Sequence, residues 1–339
     1  SSDLLSISLL MYFWGKSISD QNPDNARRIL KFMLVVFAVA CLLCFWGLFQ
    51  DYGIIRLYSN SDNTKEEAAL LSAWGFSLGS WQIYTMLAIF IALLLSIVSL
   101  FRGRMRIAAW IGAAVIVASC FITTLSSAVL YLLIGVVAYL FFARKLSVRK
   151  PGRIIGVLLA VVAGSVGLLY LLDYSMSNSE LAYYTSLNPV EKLFDNIGSI
   201  LQNGRDGDTT GRFSTLLDET LSNIAKAPLF GQGYSVSQSG NHMHLLDMWA
   251  WDGLVGELCL IGMLVMLWKI IRSKKNTPLG HGVYHGLMTG FFLVVVQGIL
   301  GGFLFIGIWG MLLFLCGLVP AGSSPQLMEK VNNNLWEKA

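Results

Sequence analysis

Charged residues are scarce in this chain. Only 13% of its 339 residues are Asp, Glu, Lys or Arg, whereas 55% are hydrophobic, and the mean hydropathy is +0.64. Soluble domains carry about 25% charged residues, so the composition excludes an ordinary soluble protein and predicts an integral membrane protein. The net charge of +4 comes from short basic clusters between apolar runs, which offer no basic face to a nucleic acid. We therefore expect no nucleic-acid partner.

Histidine and cysteine are also few, and neither is spaced as in a metal site. The four histidines form no HExxH pattern, and no compact Asp/Glu/His cluster accompanies them, which argues against a catalytic metal. All five cysteines lie in apolar runs, including the C-x-x-C pair Cys41 and Cys44, and we interpret them as small apolar side chains. The sequence predicts neither a metal nor another cofactor.

Long apolar runs are abundant instead. Several are near the length that crosses about 30 Å of hydrocarbon, and they predict spans at 30–49, 82–101, 107–124, 126–143, 154–172, 248–271, 282–300 and 303–320. A shorter apolar run at 4–16 is interpreted as the end of another span, and we expect further spans before it. The fold class predicted is thus an all-α polytopic membrane protein with about nine transmembrane helices in this sequence.

Basic clusters separate the predicted spans, and the positive-inside rule assigns them to the cytoplasm. Alternate threading of the spans places every cluster on the same side: 27–31, 102–106, 144–153 and 272–275. The predicted organisation is then a transmembrane region at 1–172 with a smaller outer loop at 50–81, a large outer loop at 173–247, three C-terminal spans at 248–320, and a cytoplasmic tail at 321–339.

The larger outer loop has the pattern of two short amphipathic helices. Asn188-Pro189 predicts the start of the first, and the glycine-rich turn at 204–208 predicts its end. Thr209 or Thr210 begins the second, which carries Leu216, Leu217, Leu221 and Ile224 on one face. Pro228 stops it. We expect both helices to lie on the membrane surface.

Polar and glycine residues concentrate between Thr210 and Gly256. The Arg212 guanidinium, at a predicted helix start, suits a phosphate or pyrophosphate, although an arginine there can also reach lipid headgroups. His242 and His244 would share one face of an extended segment, as metal ligands, as a general base with a neighbour, or as interfacial histidines. Arg205 either binds substrate or pairs with Asp206.

Three further positions carry open alternatives. Arg56, in the smaller loop, is either a phosphate ligand or a headgroup anchor. Glu257 is the deepest of three acidic residues that enter the span at 248–271, and it is either a relay or a packing partner. Gly253 and Gly256 are interpreted as permitting close helix packing or a break in the helix.

Together these motifs resemble the O-antigen ligase and O-antigen polymerase superfamily of bacterial inner-membrane glycosyltransferases. The resemblance is carried by a large outer loop before three final spans and by four motifs: Gly211-Arg212, Pro228 through Gly233, His242, and Gly253 through Gly256. It implies a multi-pass protein of the bacterial cytoplasmic membrane with a periplasmic active site. The implied activity is metal-independent transfer of a glycan from an undecaprenyl-pyrophosphate-linked donor onto a sugar hydroxyl.

The resemblance also implies roles and partners. It assigns catalysis to His242, Arg212 and Arg56, and substrate binding to Arg205, His244, Gly211, Gly231 and Gly233. The implied partners are the lipid-linked glycan, membrane lipids, and either lipid A–core or a chain-length regulator. Met243 replaces the family's Asn, and Ser126-Ser127 lacks its Ser-Arg. Both departures favour the polymerase over the ligase. A transporter is a more distant alternative, for which we would expect internal repeats that this sequence lacks.

Overall fold

The computed structural model describes residues 2–50, 81–122, 126–143, 218–233, 244–300 and 306–322. Within these ranges it is helical, without strands, which confirms the all-α prediction. The longer helices are α1 (Ser2–Gln21), α2 (Pro23–Gln50), α3 (Trp81–Ile97), α4 (Arg104–Ile122), α5 (Ser126–Phe142), α6 (His244–Ser273), α7 (His281–Leu300) and α8 (Ile306–Leu318). A 3-10 turn at Val98–Leu100 extends α3, and a short helix covers residues 218–226.

Three of these helices contain segments long and apolar enough to cross a membrane: Ile83–Leu100, Leu246–Ser273 and His281–Ile299. Their mean hydropathies are 2.5, 2.1 and 1.5, which supports a membrane protein. Two shorter apolar helices cover Ala128–Phe142 and Gly307–Leu318. The count of nine spans and the two outer loops stay predictions, and the span predicted at 154–172 lies outside the described residues.

Helix α3 forms the centre of the bundle. It is apolar on all faces, as a helix surrounded by others must be, and 72% of its span is buried. Leu93, Leu94 and Ile97 have no exposed surface. Helices α4, α5 and α7 contact it from different sides.

Three glycines spaced four residues apart let α7 approach α3 closely. A Cβ at Gly286 would lie 2.6 Å from the Cα of Leu93, and a Cβ at Gly290 would lie 2.8 Å from the Phe90 ring. Gly282 lies opposite Ser96 at an ordinary contact distance of 3.5 Å, so α3 and α7 run antiparallel. Small residues at this spacing are typical of helix association in lipid, where close backbone approach supplies van der Waals contact.

A second close contact between glycines joins α1 to α8. A Cβ at Gly15 would collide with the Phe314 carbonyl, and one at Gly317 would collide with the Tyr12 carbonyl. Met11 lies beside Gly310 and the Trp14 ring beside the Phe314 ring, so the two helices run parallel. The segment predicted at 4–16 is therefore part of a longer helix, α1, that packs against α8.

The described basic clusters lie together at one end of the bundle. Lys31 Nζ is 5.3 Å from the centre of the Phe101 ring, which brings the 27–31 cluster beside the 102–106 cluster. The pairing of Ser96 with Gly282 places the α6–α7 connection at the same level. We name this the basic end, formed by residues 27–31, 102–106 and 272–275.

The charged groups around Lys274 show that α1 also ends at the basic end. Burial lowers the pKa of the Lys274 amine. The Cys316 thiol and the Asp20 carboxylate act in the opposite direction and raise that pKa, whereas the Lys16 amine lowers it further. Lys16 and Asp20 belong to the last turns of α1, and Cys316 to the last turn of α8. The ends of α1, α6 and α8 therefore meet at the basic end.

Candidate functional site

The described residues include only part of the predicted site. Outside them lie Arg56, Arg205, Gly211, Arg212 and His242. His244 is the first residue of α6, and only its backbone is described. Gly231 and Gly233 lie in the turn after the 218–226 helix, so the described part of the predicted site consists of this turn and the start of α6.

Helix α6 is broken at Gly253. This residue has φ 69° and ψ −170°, a backbone region that essentially only glycine occupies. The break divides α6 into a half from His244 to Asp252 and a half from Leu254 to Ser273. It confirms the helix break that was one of the two sequence interpretations of Gly253.

The turn at Pro228–Gly233 fits into this break. A Cβ at Gly253 would collide with the Leu229 carbonyl, and a Cβ at Gly231 would collide with the Trp251 carbonyl. Gly231 also has a positive φ of 70°. The backbone of the turn and the backbone of α6 are therefore in direct contact, with a glycine on each side. We name this unit the glycine clasp (residues 228–233 and 250–254).

Hydrogen bonds complete the glycine clasp. Gln232 N–H donates to the Ala250 carbonyl at 2.9 Å, Gly233 N–H to the Trp251 carbonyl at 3.0 Å, and Leu254 N–H to the Pro228 carbonyl at 2.9 Å. Trp249 Nε1–H donates to the same Pro228 carbonyl at 3.0 Å. Breaking a helix frees backbone groups that cost several kcal/mol if left unpaired in lipid. The turn pairs them, so the two glycine motifs of the sequence form one structure.

The 218–226 helix rests against the first half of α6. It ends at Lys226, before Pro228, as the sequence predicts. Thr220 is 1% exposed and Ile224 9%, whereas Leu221 is 48% exposed. Leu221 and Ile224, which the sequence pattern placed on one face, thus meet different surroundings. Gln232 Nε2–H donates to the Asn223 carbonyl at 2.9 Å and ties the helix to the glycine clasp.

Asp247 is a buried carboxylate to which the sequence pattern assigned no role. It lies in the first turn of α6, is 0% exposed, and accepts a hydrogen bond from Thr220 Oγ1–H at 3.3 Å. An ionisable group in such a place is costly unless partnered, and so is usually functional. In the sequence, only its position distinguishes Asp247, which follows His244 by three residues and His242 by five.

The second acidic residue of interest, Glu257, lies one helical turn beyond Gly253. Its Oε2 is buried and accepts no hydrogen bond from any described residue. The choice between relay and packing partner stays open. The atoms nearest to a Cβ at Gly256 would be those of the Asp252 side chain, with which it would collide, so Gly256 gives that side chain room.

The two glycines assigned to substrate binding differ in their surroundings. A side chain at Gly231 would meet the Trp251 backbone, whereas no atom of the described residues lies within 4 Å of a Cβ position at Gly233. Among the described residues, therefore, space for a ligand lies beside Gly233 and not beside Gly231. Across the described ranges, no three His, Cys, Asp or Glu side chains are grouped as metal ligands.

Comparison with known proteins adds no assignment. No family model matches the chain, and no curated protein matches it. The superfamily resemblance therefore rests on the residues and the order of predicted spans.

Proposed function

We propose that this protein is a membrane glycosyltransferase acting at the periplasmic face of the bacterial cytoplasmic membrane. It transfers a glycan from an undecaprenyl-pyrophosphate-linked donor onto a sugar hydroxyl. A polymerase, which extends a lipid-linked chain, is favoured, and a ligase that delivers the glycan to lipid A–core is the near alternative.

The observation that carries this proposal is the glycine clasp. It fixes the 218–226 helix and the first half of α6 in one unit through backbone contact, and this unit flanks the 234–243 segment on both sides. That segment contains His242, and Arg212 lies six residues before Asp218, the first described residue of the 218–226 helix. Catalysis requires groups to be held in a defined geometry, and the clasp supplies a rigid support for the segments that carry both residues.

The proposed step needs no metal. The acceptor hydroxyl oxygen attacks the anomeric carbon, a new glycosidic C–O bond forms, and the bond from that carbon to the pyrophosphate oxygen breaks. His242 takes the hydroxyl proton as general base. Arg212 and Arg56 stabilise the charge that develops on the departing undecaprenyl pyrophosphate, and Arg205 and His244 contact substrate.

A transporter is disfavoured by the position of the break. Transporters place discontinuous helices near the bilayer midplane and in corresponding halves of an internal repeat. Among the described helices, only α6 has a positive-φ glycine inside it. Gly253 lies 20 residues before the end of α6 at Ser273, which corresponds to about 30 Å of helix. This distance equals the full thickness of the hydrocarbon core, whereas a break at the midplane would lie half that distance from the end of the helix.

Turnover by purified protein tests the proposal. The protein in lipid nanodiscs is incubated with a lipid-linked repeat unit, with and without lipid A–core, and products are resolved by size. A ladder without lipid A–core identifies a polymerase, whereas product only with lipid A–core identifies a ligase. No turnover with either lipid contradicts the enzyme.

Matched variants test the residue roles. We expect Arg212→Ala and His242→Ala each to lose at least about 100-fold in rate, as general acid–base and charge-stabilising groups do. Arg106→Ala, at an exposed arginine of the basic end, is the control and should retain full activity. Unchanged turnover in both site variants would remove these residues from the mechanism.

A further inference from the structure

We propose that Leu229 and Phe230, at the tip of the glycine clasp, insert into the outer leaflet of the bilayer and anchor the clasp to the membrane. The occupant of this apolar surface is lipid. The inference is independent of the proposed glycan transfer, because it concerns where the clasp sits and not what reacts there.

The exposure of these side chains is unusual for a turn. Phe230 is 80% exposed and Leu229 56%, and Leu221 on the preceding helix is 48% exposed. Ile224 on the same helix is 9% exposed and Trp251 5%, so the apolar side chains that pack against α6 are covered while those of the turn are not. Two large apolar side chains at adjacent exposed positions point to an interaction surface.

The level of the tip along the membrane normal follows from α6. Its charged end, at Arg272, marks the basic end, and the 20 residues from Leu254 to Ser273 extend about 30 Å. This length equals the thickness of the hydrocarbon core, so Gly253 lies at the opposite boundary. The hydrogen bond between Leu254 and Pro228 fixes the turn at this same level.

The half of α6 that follows the break presents an exposed apolar row. Directly after the break, Val255 is 55% exposed and Leu258 57%, and the exposed apolar row continues through Ile261 and Val265. The opposite face of this half is buried, with Leu260, Leu267 and Ile271 in the core. Since the exposed row of a membrane-spanning helix faces acyl chains, and this row begins at Val255, the acyl chains reach the level at which the hydrogen bond from Leu254 to Pro228 holds the tip. Aromatic residues are enriched at this interface.

Spin labelling measures the position directly. A nitroxide is attached to Phe230→Cys in nanodiscs, with Cys44 and Cys259 replaced by alanine, and its relaxation by oxygen and by a water-soluble nickel chelate is compared. Oxygen concentrates in lipid, and the chelate stays in water. Leu258→Cys is the lipid-facing reference, and Ser222→Cys, at an exposed polar position of the 218–226 helix, is the water-facing control.

An oxygen-to-nickel ratio at position 230 that matches position 258 and is several-fold above position 222 supports the anchor. A ratio equal to that at 222 places the tip in water, and low relaxation by both reagents shows that protein covers it; either result overturns the proposal. If Phe230→Cys does not fold, Leu229→Cys replaces it with the same expectations. The experiment measures no enzymatic activity, so its result does not depend on whether the proposed function is correct.

Discussion

At the scale of the residue, Gly253 is the position where the backbone most strictly requires glycine. Its φ and ψ are closed to other residues, and the Leu229 carbonyl fills the space where a side chain would begin. The motif Gly-x-x-Gly could be recognised from the sequence because glycine is rare inside a helix without a reason. The sequence does not reveal that Gly253 pairs with Gly231, 22 positions earlier, because this pairing depends on tertiary contact.

Replacing Gly253 with alanine should open the glycine clasp. Backbone strain of about 1–3 kcal/mol adds to the collision with the Leu229 carbonyl, so we expect a clear fall in the thermal unfolding midpoint in nanodiscs. Gly262→Ala is the matched control on the same helix, since none of the residues that the structure describes has an atom within 4 Å of its Cβ position. The control should be neutral or gain up to about 1 kcal/mol from helix propensity. Equal midpoints for the two variants would show that the clasp does not stabilise the fold.

The Thr220–Asp247 hydrogen bond is a second residue-scale test. Thr220→Val keeps the shape of the side chain and removes the hydroxyl donor from a fully buried carboxylate. Loss of a donor to a buried acceptor costs about 1–3 kcal/mol, which the unfolding midpoint should report. Ser222→Ala, at an exposed position of the same helix, should change it little. A neutral Thr220→Val would mean that the hydroxyl makes no net contribution.

At the scale of the element, the sequence located the helices but not their ends. The span predicted at 30–49 lies within α2, which begins at Pro23, where Asp24 N–H donates to Asn22 Oδ1 at 2.9 Å as at a capped helix start. Hydropathy detects the lipid-embedded part, whereas backbone hydrogen bonding continues into the charged turns beyond it. Helix α6 likewise begins at His244 and not at 248.

The glycine spacing on α7 predicts a graded response to alanine. Gly286→Ala places a methyl group against the Leu93 backbone, which cannot move without separating α7 from α3. Overpacking of this kind costs about 1–3 kcal/mol. Gly290→Ala meets the Phe90 ring, which can rotate, so its cost is smaller, and Gly282→Ala meets only ordinary contacts. Unfolding midpoints should rise in that order, and any other order would contradict the packing.

At the scale of the whole molecule, composition predicted a membrane protein, which the three long apolar helices support, and the charge clusters predicted one shared side. The structure agrees where it describes those clusters: residues 27–31, 102–106 and 272–275 form a single basic end. The candidate site was less predictable. Arginine and histidine stood out as charges in an apolar chain, but the buried pair of Thr220 and Asp247 did not, because a threonine on a short helix carries no signal until its contacts are known.

Membrane sidedness is the last test, and it concerns the orientation of the entire bundle. The positive-inside rule puts the basic end in the cytoplasm, and Gly253 lies about one hydrocarbon thickness from it. Ser222→Cys should therefore react with an impermeant maleimide in intact cells, whereas Ser273→Cys should react only after the cells are permeabilised. Both serines are exposed, and Cys44 and Cys259 are replaced in both chains. The reverse pattern would put the glycine clasp in the cytoplasm, where nucleotide-activated sugars are available and a lipid-linked donor would no longer be required.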